Sequence, residues 1–319
     1  MSNENVTVRI DPHVHSEASY DGHEPVELIL EHAADIGLDA VVITDHDVCS
    51  ESVRAAELAP EYGLIGIPGV EVSTAHGHLL AIGVDSMPPH RVPYDETVEW
   101  IHDHGGVAIV PHPFQRSRHG VRRRYIPTKA DASGIATKGD GTESSPTAAD
   151  GGEPSPATAD GEAPTGADGA TPPSGVDAIE VFNAWLFTGY RNRKARRFAA
   201  ENALPGVAAS DAHTLEYVGR AFTEVEIDDA ASIDAVESAD VLEAIRDGTT
   251  TVSGKRAPVP MAARHYAIAA GRKSGYYAKT GAVRSAAAAR WAAFTAASTA
   301  RVGALQGAHR IARVASWLR

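Results

Sequence analysis

The sequence predicts an α/β protein whose strands close into a barrel. Short β-branched runs alternate with helical patterns along most of residues 6–254, which is typical of a sheet covered by helices. Histidines and carboxylates stand repeatedly where an apolar run ends. Barrel enzymes build their sites at that end of the strands, so the same pattern predicts where a site would lie.

The strands are expected as β-branched runs bounded by turn residues. They cover residues 6–11, 38–44, 64–72, 78–84, 106–112, 176–184, 204–213 and 221–227. Helical spacing of apolar residues predicts helices over 25–37, 50–60, 92–104, near 187–202 and near 239–247. The first helix should stop at Gly37, because glycine commonly ends helices. Alternating strands and helices imply a parallel sheet, and a barrel is its economical closure.

Residues 129–175 interrupt this alternation. The segment consists almost wholly of Ala, Thr, Ser, Gly, Pro and Asp, with no aromatic residue and eight acids. It cannot bury enough apolar surface to offset the entropy of ordering, so it is predicted to be a disordered surface insertion. The alternation resumes after it, so the insertion lies within one domain, 6–254.

Residues 255–319 form a basic, Ala-rich tail with twelve Lys and Arg and no Asp or Glu. Helical spacing of its apolar residues predicts one or two helices. Packing on the acidic barrel or on a second subunit of a homo-oligomer is favoured, because the charges are complementary. Nucleic-acid binding and contact with an anionic membrane stay open, and membrane contact is not the expected role.

Composition narrows the class of protein. The chain of 319 residues has one cysteine, Cys49, so an internal disulfide framework is excluded. It has no apolar run of membrane-spanning length and no signal-peptide pattern, so a cytoplasmic protein is expected. The net charge of -13 and six lysines among 29 basic residues fit either a high-salt cytoplasm or a GC-rich genome.

Candidate metal ligands cluster at the predicted strand ends. The first strand ends in Asp11-Pro12-His13-Val14-His15, where residues two apart point to the same face and both imidazoles can reach one ion. The further candidates are Asp21, His46 between Asp45 and Asp47, Glu71, His76 or His78, His112, Asp211 and His213. Their repeated placement predicts one joint metal site. Asp45 and Asp47 either orient His46 or serve as turn residues.

In order, the motifs DPHVHSEASYDG, ITDHD, GVEVS, GHLLAIG, PHP and SDAH resemble those of the PHP (polymerase and histidinol phosphatase) superfamily. The run VDAIEVFNA before SDAH is similar to the PHP-associated segment. The resemblance covers residues 8 to about 226 apart from the insertion. It implies a distorted (β/α)7 barrel with two to three divalent metal ions.

The resemblance also implies a set of ligands for each ion. His13, His15, Glu71 and Asp211 would bind the first ion, and Asp21, His46 and His213 the second. His78 and His112 would bind the third, with Glu71 bridging and His76 as a competitor for His78. Histidine and carboxylate ligands suit Mn²⁺, Zn²⁺ or Fe²⁺.

These implications predict a metal-dependent phosphoesterase that uses a metal-activated hydroxide. Glu71, Asp21 and His213 are its predicted catalytic residues. Arg116, and after it Arg118, is expected to hold the substrate phosphate, and Asn183 to donate to substrate.

Nucleotides or short oligonucleotides are the first choice of substrate, and a small phosphomonoester of the histidinol-phosphate type is the second. A non-catalytic, nucleic-acid-binding or regulatory module is a third hypothesis. An unrelated metal-dependent amidohydrolase is less favoured, because no lysine stands at a strand end as a ligand.

Overall fold

The structure is a computed structural model that describes residues 5–128, 175–185, 189–228 and 230–258. The predicted insertion, apart from Gly175, and the tail beyond Pro258 lie outside the described residues, so both stay predictions. Among the described residues, no helix is both long and apolar enough to cross a membrane.

The elements confirm a mixed α/β fold. The strands are β1 (Val6–Val14), β2 (Ala40–Ile43), β3 (Gly69–Ser73), β4 (His78–Ile82), β5 (Val107–Val110), β6 (Ala178–Asn183), β7 (Gly206–Ala209), β8 (Ala221–Ile227) and β9 (Thr250–Gly254). The helices are α1 (Val26–Asp35), α2 (Ser50–Leu58), α3 (Tyr94–Asp103), α4 (Tyr190–Glu201) and α5 (Ser238–Asp247). Each predicted strand and helix overlaps an observed one. Strand β9 was not predicted, because its residues TTVSG lack an apolar pattern.

The prediction of a parallel sheet is wrong, because the strands form two mixed sheets. One has the order β2-β1-β8-β9 and the other the order β3-β4-β5-β6-β7. β4 is antiparallel to both β3 and β5, and β8 is antiparallel to β1 and β9. Only residues 74–77 connect β3 to β4, which is too short for the crossover that parallel strands require.

Isolated β-bridges connect the two sheets at two seams. His46, just after β2, pairs with Glu71 of β3, and Val14 of β1 pairs with Ala212, just after β7. The seams bring the ends of β1, β2, β3 and β7 together, and that meeting point positions the candidate site.

The core lies on both faces of the strands. Along β4, Leu79 and Ala81 pack into one apolar cluster, whereas Leu80 and Ile82 pack into another. Side chains that alternate into two clusters are expected where helices or loops cover both faces of a sheet. Helix α1 contributes its buried stripe of Val26, Ile29, Leu30 and Ala33. Rigid, buried strands of this kind hold the side chains at their ends in fixed positions.

Candidate metal centre

The nine predicted ligands converge at one edge of the two sheets. His13 and Glu71 lie on strands, and most of the others follow the last residue of a strand. His78 is instead the first residue of β4. Because β4 runs antiparallel to its neighbours, its beginning lies at the edge where parallel strands end. His78 therefore lies at the same edge as the other candidate ligands, although it begins its strand.

The first group of ligand atoms surrounds a single point. The Nε2 atoms of His13 and His15 lie 3.1 Å apart, and they lie 3.2 and 3.4 Å from Glu71 Oε2. Asp211 Oδ1 lies 3.6 Å from the His13 nitrogen and 3.5 Å from the His15 nitrogen. Four donor atoms, each about 2.1 Å from one ion at the corners of a tetrahedron, are about 3.4 Å apart. The five separations given, from 3.1 to 3.6 Å, fit donors arranged around one divalent metal ion.

The second group lies beside the first. Asp21 Oδ2 is 3.2 Å from His213 Nε2 and 3.5 Å from His46 Nε2, and His15 also belongs to this group. The Nδ1 atom of His213 donates to the Asp211 carbonyl oxygen at 2.8 Å. That bond directs the Nε2 lone pair toward Asp21, which is the orientation that a metal-binding imidazole requires.

The third group forms around the other oxygen of Glu71. Glu71 Oε1 lies 2.7 Å from His78 Nδ1 and 2.9 Å from His112 Nε2. The ring of His76 stacks on Tyr125 instead, with centroids 3.9 Å apart. The geometry therefore favours His78 over His76 as the third-group ligand.

Glu71 lies between five of these imidazoles. Its Oε2 faces His13, His15 and also His46 Nδ1 at 3.2 Å, whereas its Oε1 faces His78 and His112. Burial raises the pKa of Glu71, but the charges of His46, His78 and His13 outweigh burial and hold it well below its usual value. A carboxylate that stays ionised between two groups of donors has the position that a bridging ligand requires.

Burial and charge also set the pKa of the carboxylates on either side. Burial raises the pKa of Asp21, but His213 and His46 outweigh it, so the pKa is lowered far below its usual value. Burial acts the same way on the pKa of Asp211, where Arg118 and His13 outweigh it. Both side chains are therefore ionised and able to bind cations at neutral pH.

Glu180 is a site residue that the sequence analysis missed. It is buried on β6, and its Oε1 accepts from His13 Nδ1 at 2.7 Å. Its Oε2 accepts from the backbone N–H of His112 at 2.6 Å. A carboxylate that holds the far nitrogen of a metal-binding histidine fixes the ring and raises its basicity. Glu180 thus orients His13 and positions His112.

We expect Glu180→Gln to weaken metal binding by about 10- to 100-fold, the usual effect of losing such a partner. The amide directs an N–H toward either the His13 ring or the His112 backbone N–H, so one of the two bonds is lost. Competition with a chelator for metal-depleted protein measures the affinity. Glu226→Gln, an exposed position on β8, is the matched control. Unchanged affinity in Glu180→Gln would contradict the orienting role.

Asn183 supports the carboxylates instead of facing a substrate. Its Nδ2 donates to Glu180 Oε2 at 2.9 Å and to Asp211 Oδ2 at 3.0 Å, and its Oδ1 accepts from the Trp185 backbone. Both amide hydrogens are therefore used within the protein. The predicted donation from Asn183 to substrate does not fit this arrangement.

The two arginines predicted to hold phosphate differ in position. Arg116 is exposed, whereas the Arg118 side chain is only 11% exposed and lies against the metal centre. Its Nη1 and Nη2 atoms lie 2.8 and 3.0 Å from the two oxygens of Asp211. Such a paired contact fixes the guanidinium plane. Arg118, and not Arg116, therefore contacts a predicted ligand, and the phosphate-binding role of either arginine stays a prediction.

Asp45 and Asp47 orient the backbone and not His46. Asp45 accepts from the N–H and the hydroxyl of Ser16 at 2.7 and 2.5 Å, and Asp47 accepts from the Ser73 N–H at 2.7 Å. Both ring nitrogens of His46 face Asp21 and Glu71 instead. The hypothesis that these two aspartates orient His46 is therefore corrected.

Asp11 ties the first strand to the loop that carries Asp211 and His213. Its two oxygens accept from the backbone N–H of Ser210 at 3.0 Å and of Gly219 at 2.9 Å. Burial raises the pKa of Asp11 to about 6, and the hydrogen bonds from Ser210 and Gly219 limit the shift.

We expect Asp11→Asn to lower the free energy of unfolding by about 1–3 kcal/mol, because the new amide group leaves one buried N–H without an acceptor. Thermal and urea unfolding of metal-depleted protein measure the change. Asp35→Asn, an exposed position at the end of α1, should stay within about 0.5 kcal/mol of the wild type. Equal stability of both variants would contradict the role of Asp11.

Family models match two stretches of the chain. The PHP domain model matches residues 11–128, which contain seven of the nine candidate ligands, and the PHP-associated model matches residues 189–250, which contain the other two. The first match ends where the predicted insertion begins. Together the two matches span the elements that position the site, apart from β6 and β9.

Two known proteins share stretches of sequence with this chain. An uncharacterized protein of Methanocaldococcus jannaschii is 30% identical over 117 residues, which cover 34% of this chain and 68% of that protein. A phosphoribosyl 1,2-cyclic phosphate 1,2-diphosphodiesterase of Eggerthella lenta is 35% identical over 85 residues, 25% of this chain and 32% of that protein.

A two-domain protein from Bacteroides vulgatus, containing a predicted PHP-like metal-dependent phosphoesterase, shares the fold with a TM-score of 0.52 and 20% identity. The match covers 79% of this chain and 66% of that one. The family-model matches and the Methanocaldococcus jannaschii relative show that the chain belongs to the PHP family.

Proposed function

We propose that this chain is a metal-dependent phosphoesterase. The observation that carries the proposal is the set of donor atoms around Glu71, whose separations fit bound divalent ions. His13, His15, Glu71 and Asp211 would hold the first ion, and Asp21, His46 and His213 the second. His78 and His112 would hold a third together with Glu71. The donors are imidazole and carboxylate, which suit Mn²⁺, Zn²⁺ or Fe²⁺.

The chain's own residues would prepare the site for a phosphate ester. Bound divalent ions supply a nucleophile at neutral pH and neutralise charge on phosphoryl oxygens. Glu71, Asp21 and His213 would fix the spacing of the ions, because each faces two or more of the other donors. Arg118, held in plane by Asp211, would bind the non-bridging oxygens of the phosphate in the role first assigned to Arg116.

Nucleotides or short oligonucleotides remain the first choice of substrate. Tyr20 is 56% exposed, and its ring stacks on His46 with centroids 4.9 Å apart and an angle of 15° between the planes. An exposed aromatic ring next to a phosphate site offers a surface on which a base can stack. The Eggerthella lenta relative is named for a phosphoribosyl cyclic phosphate, which supports a phosphodiester on ribose over a small phosphomonoester but does not bear on the base.

An activity screen tests the proposal. Metal-depleted protein is reconstituted with Mn²⁺, Zn²⁺ or Fe²⁺ and assayed for hydrolysis of nucleotides, short oligonucleotides and sugar phosphates at low and high salt. We expect turnover with at least one ion and one nucleotide, and loss of turnover with a chelator. A protein that binds metal yet cleaves none of these esters would favour the non-catalytic regulatory module instead.

We also propose that the two sheets belong to one distorted seven-stranded barrel. The bridges His46–Glu71 and Val14–Ala212 support it, because they close the ring from β1 through β7 at both seams. We keep the domain bounds of 6–254 as part of the proposal, with β8 and β9 extending the sheet beside β1.

A further inference from the structure

A polar cavity lies between the end of β6 and the beginning of helix α4. Its volume is about 300 Å³, and it is lined by Phe182, Gly189, Asn192, Arg193, Arg196 and Arg256. These lining residues, all within the described part of the chain, contribute three guanidinium groups and no carboxylate. None of them is a candidate metal ligand, so the cavity is distinct from the metal centre.

Two arginines of helix α4 lack an acidic partner in the described part of the chain. Within the residues that the structure describes, neither Arg193 nor Arg196 forms an ion pair. On the same helix, Arg197 binds Glu201 at 2.8 Å, and Arg191 lies over the Tyr190 ring. Arg193, Arg196 and Arg256 are exposed, so solvent screens part of their mutual repulsion, but three positive charges that border one cavity still favour an anion there. An anion bound between them would relieve that repulsion.

The backbone at the cavity also favours an anion. Gly189 precedes the first residue of the twelve-residue helix α4, and its backbone is left-handed with φ 68°. A side chain at Gly189 would place its Cβ 3.0 Å from Arg256 Nη1. The first N–H groups of a helix point away from its body and carry partial positive charge. The Arg256 guanidinium therefore lies close to the residue that precedes α4.

The cavity is connected to the metal centre through two asparagines. Asn192, which lines the cavity, accepts from the Asn183 N–H at 3.3 Å and donates to the Asn183 carbonyl oxygen at 3.1 Å. Asn183 in turn donates to Glu180 and Asp211. A continuous set of hydrogen bonds therefore joins the cavity wall to the carboxylates of the metal centre.

We propose that this cavity binds a phosphoryl group, held by Arg193, Arg196 and Arg256 at the N-terminus of α4. Guanidinium groups and helix N-terminal N–H groups are the donors that proteins commonly use for phosphate. The phosphoryl group belongs either to a distal part of a chain-like substrate or to a separate phosphorylated ligand. Both sources share the chemistry that the cavity recognises, and the proposal extends beyond hydrolysis at the metal centre.

The test is a titration of metal-depleted, full-length protein with inorganic pyrophosphate by calorimetry. Without metal ions, binding at the metal centre is minimised. We expect saturable binding that Arg193→Ala combined with Arg196→Ala weakens at least tenfold. The matched control combines Arg191→Ala with Arg197→Ala, which removes the same charge from the same helix, and it should stay within twofold of the wild type.

Two further variants locate the bound probe. Arg256→Ala, from a different segment, should also weaken binding, whereas Arg118→Ala at the metal centre should not. The proposal is overturned if wild-type protein shows no saturable binding, or if both double variants lose affinity equally. It is also overturned if Arg118→Ala abolishes binding and the cavity variants do not. These measurements need no turnover, so their failure is distinct from failure of the proposed phosphoesterase.

Kinetics then distinguish the two sources of the phosphoryl group, and this arm alone rests on the proposed function. If the cavity holds a distal phosphate, combining Arg193→Ala with Arg196→Ala should raise KM for an oligonucleotide and leave KM for a mononucleotide unchanged. If pyrophosphate binding is lost while neither KM changes, the ligand is a separate phosphorylated molecule.

Discussion

Glu71→Gln is expected to reduce turnover at least about a thousandfold. The Glu71 carboxylate faces five imidazoles with its two oxygens, so its charge serves every group of donors at once. An amide of the same shape carries no charge, and its N–H points toward nitrogen atoms that are needed as acceptors or ligands. The ions that Glu71 would help to hold stabilise charge in the transition state by several kcal/mol. Each 1.36 kcal/mol that is lost lowers the rate by a factor of about ten.

Steady-state kinetics and metal analysis of the purified variant measure this effect together. Glu61→Gln, which changes an exposed glutamate, is the control and should retain wild-type activity. Circular dichroism and thermal unfolding with metal present check that the Glu71→Gln protein is folded. Activity within tenfold of the wild type in a folded Glu71→Gln protein would rule out a bridging role for this carboxylate.

The convergence of the predicted ligands could be expected from the sequence, because most of them stand in a local pattern. His13 and His15 are two residues apart on a strand, and His112 and His213 follow apolar runs. Strands of this kind end at a common edge, so a local signal also predicts proximity in space. The expected proximity does not depend on which strand neighbours which. It therefore holds although the predicted parallel sheet is wrong.

The sequence around Glu180 could have predicted a buried, partnered carboxylate. It stands inside the apolar run AIEVF, just as Glu71 stands inside GVEVS. Burying a carboxylate without a partner is costly, so an acid within a buried strand indicates that a partner is nearby. The connection between β3 and β4 carried a second unused signal, because its four residues already require an antiparallel pair.

The position of Arg118 could not be predicted in the same way. Five arginines follow His112 within twelve residues, and no periodicity distinguishes them, since a short 3-10 turn over Arg116–Arg118 and a left-handed His119 set their directions. Asn183 is similar, because its partners Glu180 and Asp211 come from two different parts of the chain. Contacts that depend on loop conformation or on distant segments need the folded structure.

Arg118→Ala is expected to lower kcat/KM by about 2–4 kcal/mol, roughly 30- to 1000-fold, on every phosphate ester that the protein cleaves. The guanidinium is held against Asp211 and is largely buried, so a phosphoryl group bound beside Asp211 would meet a fixed pair of donors. Arg116→Ala is the matched control, since it removes the same side chain two residues away from an exposed position. We expect that variant to stay within about threefold of the wild type.

Metal content separates a phosphate-binding role from an indirect one. Arg118 also neutralises Asp211, so its loss could act by changing how that carboxylate binds an ion. If Arg118 binds the substrate, the Arg118→Ala protein should keep its full metal content, and inhibition by inorganic phosphate should weaken together with kcat/KM. Loss of metal in proportion to activity would show that Arg118 acts through Asp211 alone. Equal losses in Arg116→Ala and Arg118→Ala would show that the loop contributes only its general positive charge.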